Sequence, residues 1–247
     1  NGFKIYYQPI YHKEKQKICS AEALVRLFDD EIGFVPPDEF IPIAERNGMI
    51  VEMGVQVFSQ VCEMITSVDM DALGLDYIEV NLSTLQCMNS ELAESFKKVL
   101  EDYHVDAKYI NLEITESAAV NNPDMLLSTM KRLREIGFGF SLDDYGTGYS
   151  NFTYMFEMNF DIIKLDKSIL YKADRDRKAD VILRNSIRML KEMDFEVLME
   201  GVETKRQKDM VEALGCDLLQ GYFFSRPLPK DVFLDFVRDF SLENYGL

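Results

Sequence analysis

The chain is poor in the side chains that most enzymes use for acid–base work. It has two histidines, His12 and His104, in 247 residues. They fall in a predicted turn and a predicted inter-element loop, which argues against His-based catalysis or a His-rich metal centre. Its four cysteines, Cys19, Cys62, Cys87 and Cys216, are scattered with no C-x-x-C spacing. Reduced, buried thiols fit that pattern better than a disulfide framework or a zinc site. No apolar run approaches the roughly twenty residues of a membrane span, and no signal-peptide pattern opens the chain. Basic residues are also short, with 27 Lys plus Arg against 43 Asp plus Glu and a formal net charge of −16. Such a chain is a poor partner for a nucleic-acid polymer or an anionic membrane. A phosphate-bearing substrate would need local positive charge or bound metal. Chemistry is left to carboxylates, lysine and amides.

What is present fits a globular core: 47% of the residues are hydrophobic and 28% charged. The length suits one large domain or two small ones. No linker rich in Pro, Gly or Ser and no shift of composition divides it, so residues 1–247 are read as a single domain. The chain begins with Asn1 and enters a strand almost at once. The expectation is a domain cut from a longer multidomain protein.

Strand-like runs alternate with amphipathic helical stretches. The strands are "FKIYYQPI", "KICSAEALVRLF", "YIEVNLS", "YINLEITES", "GFGFSLDD", "DIIKLD", "FEVLME" and "DLLQGY". Helices are predicted over Pro36–Asn47, Ile50–Val68, Glu91–Tyr103, Pro123–Ile136, Asp180–Met193, Lys205–Leu214 and Lys230–Phe240. The polar stretch "YKADRDRKAD" reads as a solvated loop entering a helix. The alternation implies an α/β fold, a (β/α)8-type barrel with parallel strands. The first two strands are joined by "YHKEKQK", too short for a crossover helix. That link is a hairpin, so the first strand should run antiparallel to the second.

Barrel enzymes place function at the C-terminal strand ends. There the sequence puts Glu22, Asn81, Glu113 with Glu116, the adjacent Asp143 and Asp144, Lys164, Glu200 with Glu203, and Gln220. Taken singly, Glu116, Glu203 and Asp166 read as helix caps or loop residues, Asn81 as a cap and Lys164 as an exposed strand residue. Taken together, they crowd like charges that cannot all stay ionised without cations. Oxygen ligands and one amide point to a hard divalent ion, Mg²⁺ or Mn²⁺. Two such ions suit phosphoryl displacement. The lysine keeps its charge among the acids. Asp143 and Asp144 end a strand where Gly146 and Gly148 free the backbone to turn. Thr147 sits in the loop that follows, and Glu116 is the candidate to hold that loop.

These residues carry a resemblance. "AEALVR", "YYQPI", "EFIPIAE", "VNLS", "LEITES", "DDYGTGYSNF", "IKLD", "EGVET" and "QGYFFSRPLP" resemble, in order and over the whole chain, the motifs of EAL-domain cyclic-di-GMP phosphodiesterases. The resemblance implies a modified TIM barrel with an antiparallel first strand. It implies hydrolysis of cyclic di-GMP to linear pGpG with two Mg²⁺ or Mn²⁺ ions, in cytoplasmic second-messenger signalling by bacteria. Glu22, Asn81, Glu113 and Asp143 would hold one ion; Asp143, Asp144 and Glu200 would hold the other. Lys164 would position the water nucleophile. Arg26 would meet a substrate phosphate, with Leu24 of the Glu-Ala-Leu triplet, Gln8 and Gln220 lining the substrate site. Glu116, Gly146, Thr147 and Gly148 would order the loop, and Glu203 would act behind the ligands.

Family members often dimerise through the segment matching "SNFTYMFEMNF", which implies a homodimer, and are often fused to sensory or cyclase-type domains. Two departures, Leu27 where the family favours an aromatic and Tyr145 where it favours Phe, touch no proposed ligand. Two alternatives stay open: a non-catalytic cyclic-di-GMP receptor module, and a metal-dependent barrel that abstracts a proton beside a carboxylate, as enolase-like enzymes do.

Overall fold

A computed structural model describes residues 2–121, 123–147 and 157–245. Ten strands form one sheet: β1 (Phe3–His12), β2 (Lys17–Asp29), β3 (Gly33–Val35), β4 (Tyr77–Leu82), β5 (Ile110–Thr115), β6 (Gly139–Tyr145), β7 (Ile162–Leu165), β8 (Glu196–Met199), β9 (Leu218–Gln220) and β10 (Leu228–Pro229). From β2 the neighbours run β4, β5, β6, β7, β8 and β9, all parallel. β1 closes the ring by pairing antiparallel with both β2 and β9. The result is the expected eight-strand barrel with its reversed first strand. The short β3 and β10 flank it as antiparallel additions.

The closure follows from period-two patterning. Ile78, Val80 and Leu82 of β4, Ile110, Leu112 and Ile114 of β5, and Ile163 and Leu165 of β7 are all buried against the surrounding helices. The residues between them point into the barrel. There Ile10, Ile162, Leu198 and Leu218 make a small separate apolar plug, with Tyr77 packed against it. Polar side chains occupy the interior above that plug. The helices outside are fixed in the usual ways. Ser83 and Thr204 each form a capping box, with Gln86 and Gln207 respectively. Phe58 of helix Ile50–Thr66 stacks on Phe96 of helix Leu92–Tyr103 at 4.0 Å and 2°.

The stretch "YKADRDRKAD" is mostly helical, against expectation. Asp166 caps helix Lys167–Ala173 by accepting from the Ser168 amide. Asp176 caps helix Arg177–Glu192 through the Lys178 amide, so that helix starts before Asp180. Short α-helices at Met70–Leu73, Thr84–Cys87 and Glu116–Asn121 were also not foreseen. Gly148 and residues 150–156 of the expected dimer segment lie outside the described residues.

Candidate functional site

Lys164 of β7 is the centre of the site. Its side chain is fully buried on the barrel axis, where residues from five other elements meet it. Its Nζ donates to Glu113 of β5. It lies 3.4 Å from Glu79 of β4, 3.6 Å from Glu22 of β2, 3.4 Å from Glu200 just past β8 and 4.0 Å from Asp143 of β6. Burial by itself lowers an ammonium's pKa, but the carboxylates of Glu22, Glu79 and Glu200 outweigh it and raise that of Lys164. The reading of Lys164 as an exposed strand residue is thereby excluded.

Glu22 is the best-held acid. It accepts from Asn81 Nδ2 at 2.9 Å and from Gln220 Nε2 at 2.8 Å. Burial works to raise its pKa, and Lys164 with the two amides brings it below the ordinary value. Asp143, Glu200 and Asp144 go the opposite way. Burial, reinforced by Glu200, Glu22 and Asp144, pushes Asp143 well above the carboxylate range. Burial likewise lifts Glu200 to about 7, although Lys164 opposes it. Asp144 is raised by burial and by Asp166 and Glu22. One buried lysine is too little positive charge for this set.

Two neighbouring aspartates reach the same end of the barrel because the strand breaks between them. The β6–β7 register shifts between Leu142 and Tyr145, which marks a bulge. Asp144 itself adopts left-handed backbone, with φ of 60°. The turn was expected from the glycines; Gly146 contributes, with φ of 95°, but the aspartate takes the first left-handed step. Gly146 N donates to Glu116 Oε2 at 3.3 Å, and Thr147 caps the turn by donating to the Asp144 carbonyl at 2.9 Å.

Two cavities meet at Glu22. One, of about 220 Å³, is polar and includes Gln8, Lys167, Tyr171, Glu203, Gln220 and Tyr222. The other, of about 300 Å³, is largely apolar and includes Leu24, Arg26, Pro37, Ile41, Met53 and Asn81. The Arg26 guanidinium donates to the Val25 carbonyl at 2.9 Å and lies over the Tyr6 ring. Glu203 is exposed at the rim and accepts from the Tyr171 hydroxyl at 3.0 Å. It does not join the Lys164 cluster. Asp166 is a helix cap, as its position suggested.

Glu79 was missed from sequence. It is fully buried and meets Lys164 from the layer below the strand ends. The signal was available, since it precedes Asn81 by two residues and so shares its face of β4.

The donor set fits hard divalent cations. Glu79 Oε2, Glu113 Oε2, Asp143 Oδ1 and Gln220 Oε1 are buried without a hydrogen-bond partner, and such orphaned oxygens are costly unless a cation meets them; for Glu79 that cation is the Lys164 ammonium, 3.4 Å away. Among the described residues no three His, Cys, Asp or Glu side chains converge as a preassembled metal cage; the Lys164 ammonium holds the centre.

Comparison with known proteins agrees with this geometry. The family model described as EAL domain matches residues 1–227. Signaling protein YkoW of Bacillus subtilis is 33% identical over 95% of the chain, which spans 29% of that protein. Cyclic di-GMP phosphodiesterase RocR of Pseudomonas aeruginosa is 30% identical over 96% of the chain, which spans 60% of RocR. A solved structure described as PaMucR phosphodiesterase in complex with c-di-GMP superposes with a TM-score of 0.88, at 30% identity and 94% coverage of both chains.

Proposed function

The chain belongs to the EAL domain family, and from that premise we propose that it is a metal-dependent phosphodiesterase that opens one ester of cyclic di-GMP to give linear pGpG. The observation that carries the reading is the Lys164 cluster. A buried ammonium is ringed by Glu22, Glu79, Glu113, Asp143 and Glu200, with acceptor oxygens left over for cations. Relatives named as cyclic di-GMP phosphodiesterases and a neighbour solved with that ligand support the substrate class.

Glu22, Asn81, Glu113 and Asp143 would hold one Mg²⁺ or Mn²⁺, and Asp143, Asp144 and Glu200 the second. When bound, such ions offset charge on the phosphoryl oxygens and bring the pKa of water towards neutrality. The protein's own part is positional. The Asn81 and Gln220 amides fix both oxygens of Glu22. Lys164 keeps its proton and donates a hydrogen bond to the water that attacks phosphorus. The P–O3′ bond breaks as the new P–O bond forms, leaving a 5′-phosphate and a 3′-hydroxyl. The two cavities that meet at Glu22 suit a ligand with two bases about a phosphodiester ring, and Arg26, which lines the apolar one, would meet its phosphate. The Glu116–Gly146 contact holds the first turn after Asp144, which supports the role of Glu116 in ordering the loop.

The described residues contain no helix long and apolar enough to cross a membrane, and the chain spans less than a third of YkoW. The second fact suits a module fused to further domains, of sensory or cyclase type; a cytoplasmic location and a homodimer belong to the same proposal. The test is chromatography of cyclic di-GMP incubated with the protein and Mg²⁺, Mn²⁺ or chelator. Metal-dependent pGpG that disappears in Glu22→Ala supports the hydrolase. Binding of intact cyclic di-GMP with no product under any metal would establish a receptor instead.

A further inference from the structure

Resting on the hydrolase reading, we infer that Glu79 is the positioning residue that seats Lys164 for the reaction. Lys164 has five carboxylate neighbours, and four of them, Glu22, Glu113, Asp143 and Glu200, belong to the proposed ion-binding set. Cations drawn to those four would repel the ammonium and compete for its partners. Glu79 is the neighbour left over. It is fully buried, and its Oε2, which accepts no hydrogen bond, lies at ion-pair distance, 3.4 Å, from Nζ. It meets the lysine from β4, three strands around the ring from β7. Its other oxygen is fixed from behind: the Ser141 hydroxyl donates to Oε1 at 2.9 Å and lies equally near the Asn111 amide oxygen. Below come Tyr77 and the apolar plug. The carboxylate therefore has a rigid floor and faces one cation. It holds Nζ at a set height under the reacting centre, and that placement survives when the upper acids turn to other charges.

A residue of this kind acts through Lys164 and leaves substrate binding alone. The test compares Glu79→Met, which removes the acceptor at similar volume, with Glu79→Gln, which keeps one. At saturating metal, Glu79→Met should lower kcat at least about tenfold with KM for cyclic di-GMP within about twofold. Glu79→Gln should recover kcat to within about threefold of wild type. Should Glu79→Met not fold, Ser141→Ala, which loosens the floor, should still lower kcat about threefold at unchanged KM. A second measurement needs no turnover. In chelator, urea unfolding of Lys164→Met, Glu79→Gln and the double variant should show coupling of at least about tenfold in the unfolding constant. Additive effects there, or wild-type kcat in folded Glu79→Met, would overturn the assignment. A wild type that releases no pGpG would sink the hydrolase reading, while the chelator cycle would still decide whether Glu79 seats Lys164.

Discussion

Replacing Lys164 by methionine isolates the electrostatics of the site. The methionine nearly fills the lysine's volume, so the loss is chiefly of charge. In metal-free protein at about pH 7.5 the penalty for orphaning these acids can be sized from the lost pair. A unit pair near 3.5 Å at an effective dielectric of 20 is worth about 5 kcal/mol, and breaking a buried pair typically costs about 3–5 kcal/mol. The acids can limit that cost by taking up protons. From an ordinary carboxylate pKa of about 4.3, neutralising one group at about pH 7.5 costs roughly 4 kcal/mol, at 1.36 kcal/mol per pH unit. The two routes agree, so Lys164→Met should lose about 4 kcal/mol.

The same arithmetic sets the pH dependence. The folded variant holds a proton that the unfolded chain releases, so its stability falls as pH rises. At about pH 5 protonation is nearly free, and the cost should shrink to about 1 kcal/mol. Urea denaturation in chelator at both pH values measures it, with the slope m checked for constancy. Added Mg²⁺ or Mn²⁺ should restore part of the stability, while turnover stays lost. A cost below about 1 kcal/mol at the higher pH, or one that does not change with pH, would refute the charge accounting.

Other consequences follow from the same geometry. In metal-free wild type, burial lifts Glu200 to about 7 and also raises Asp143, Glu79 and Asp144. Carboxylates with raised folded-state pKa values keep protons that the unfolded chain gives up, so stability falls as pH climbs from the ordinary carboxylate range to about 7. Glu22, lowered, works in the other direction but is one group against four. Thermal melts in chelator should therefore drop across that window and flatten when divalent ion is added; a rise with pH would contradict the assignment. Gly221→Ala should damage the site from outside it. A Cβ there would overlap the backbone of Val202, whose amide donates to the Gln220 carbonyl at 3.0 Å. Pushing the two loops apart moves Gln220 off Glu22, so activity should fall at least about tenfold with about 1–3 kcal/mol of stability; a variant with wild-type turnover and melting temperature would show that the loops have room.

Period-two patterning explains what could be read in advance. In "YIEVNL", "INLEIT" and "IIKL" the aliphatic positions fix which face meets the helices, and Asn81, Glu113 and Lys164 then have only the barrel interior left. The hairpin fixed the reversed first strand for a similar reason, since four turn residues cannot carry a crossover. What escaped was of two kinds. β3 and β10 are two or three residues long and have no period to detect. The short helices at Thr84–Cys87 and Lys167–Ala173 depend on single caps, Ser83 and Asp166, rather than on an amphipathic repeat.

Glu79 belongs to neither kind. Attention to strand ends selects residues that open to solvent, where ligands arrive, and passes over the layer beneath. Yet a carboxylate two residues inward on a strand whose other face is entirely aliphatic has no route to water. It must find a cation or a hydroxyl inside the barrel, and Lys164 and Ser141 are the groups that face it. The composition makes the same demand at larger scale. A chain with a net charge of −16 repels an anionic dinucleotide as a whole. It can bind one only where positive charge is gathered at short range. Five acids around one lysine leave that charge to be gathered by bound metal, beside Glu22, where the two cavities of the described residues meet.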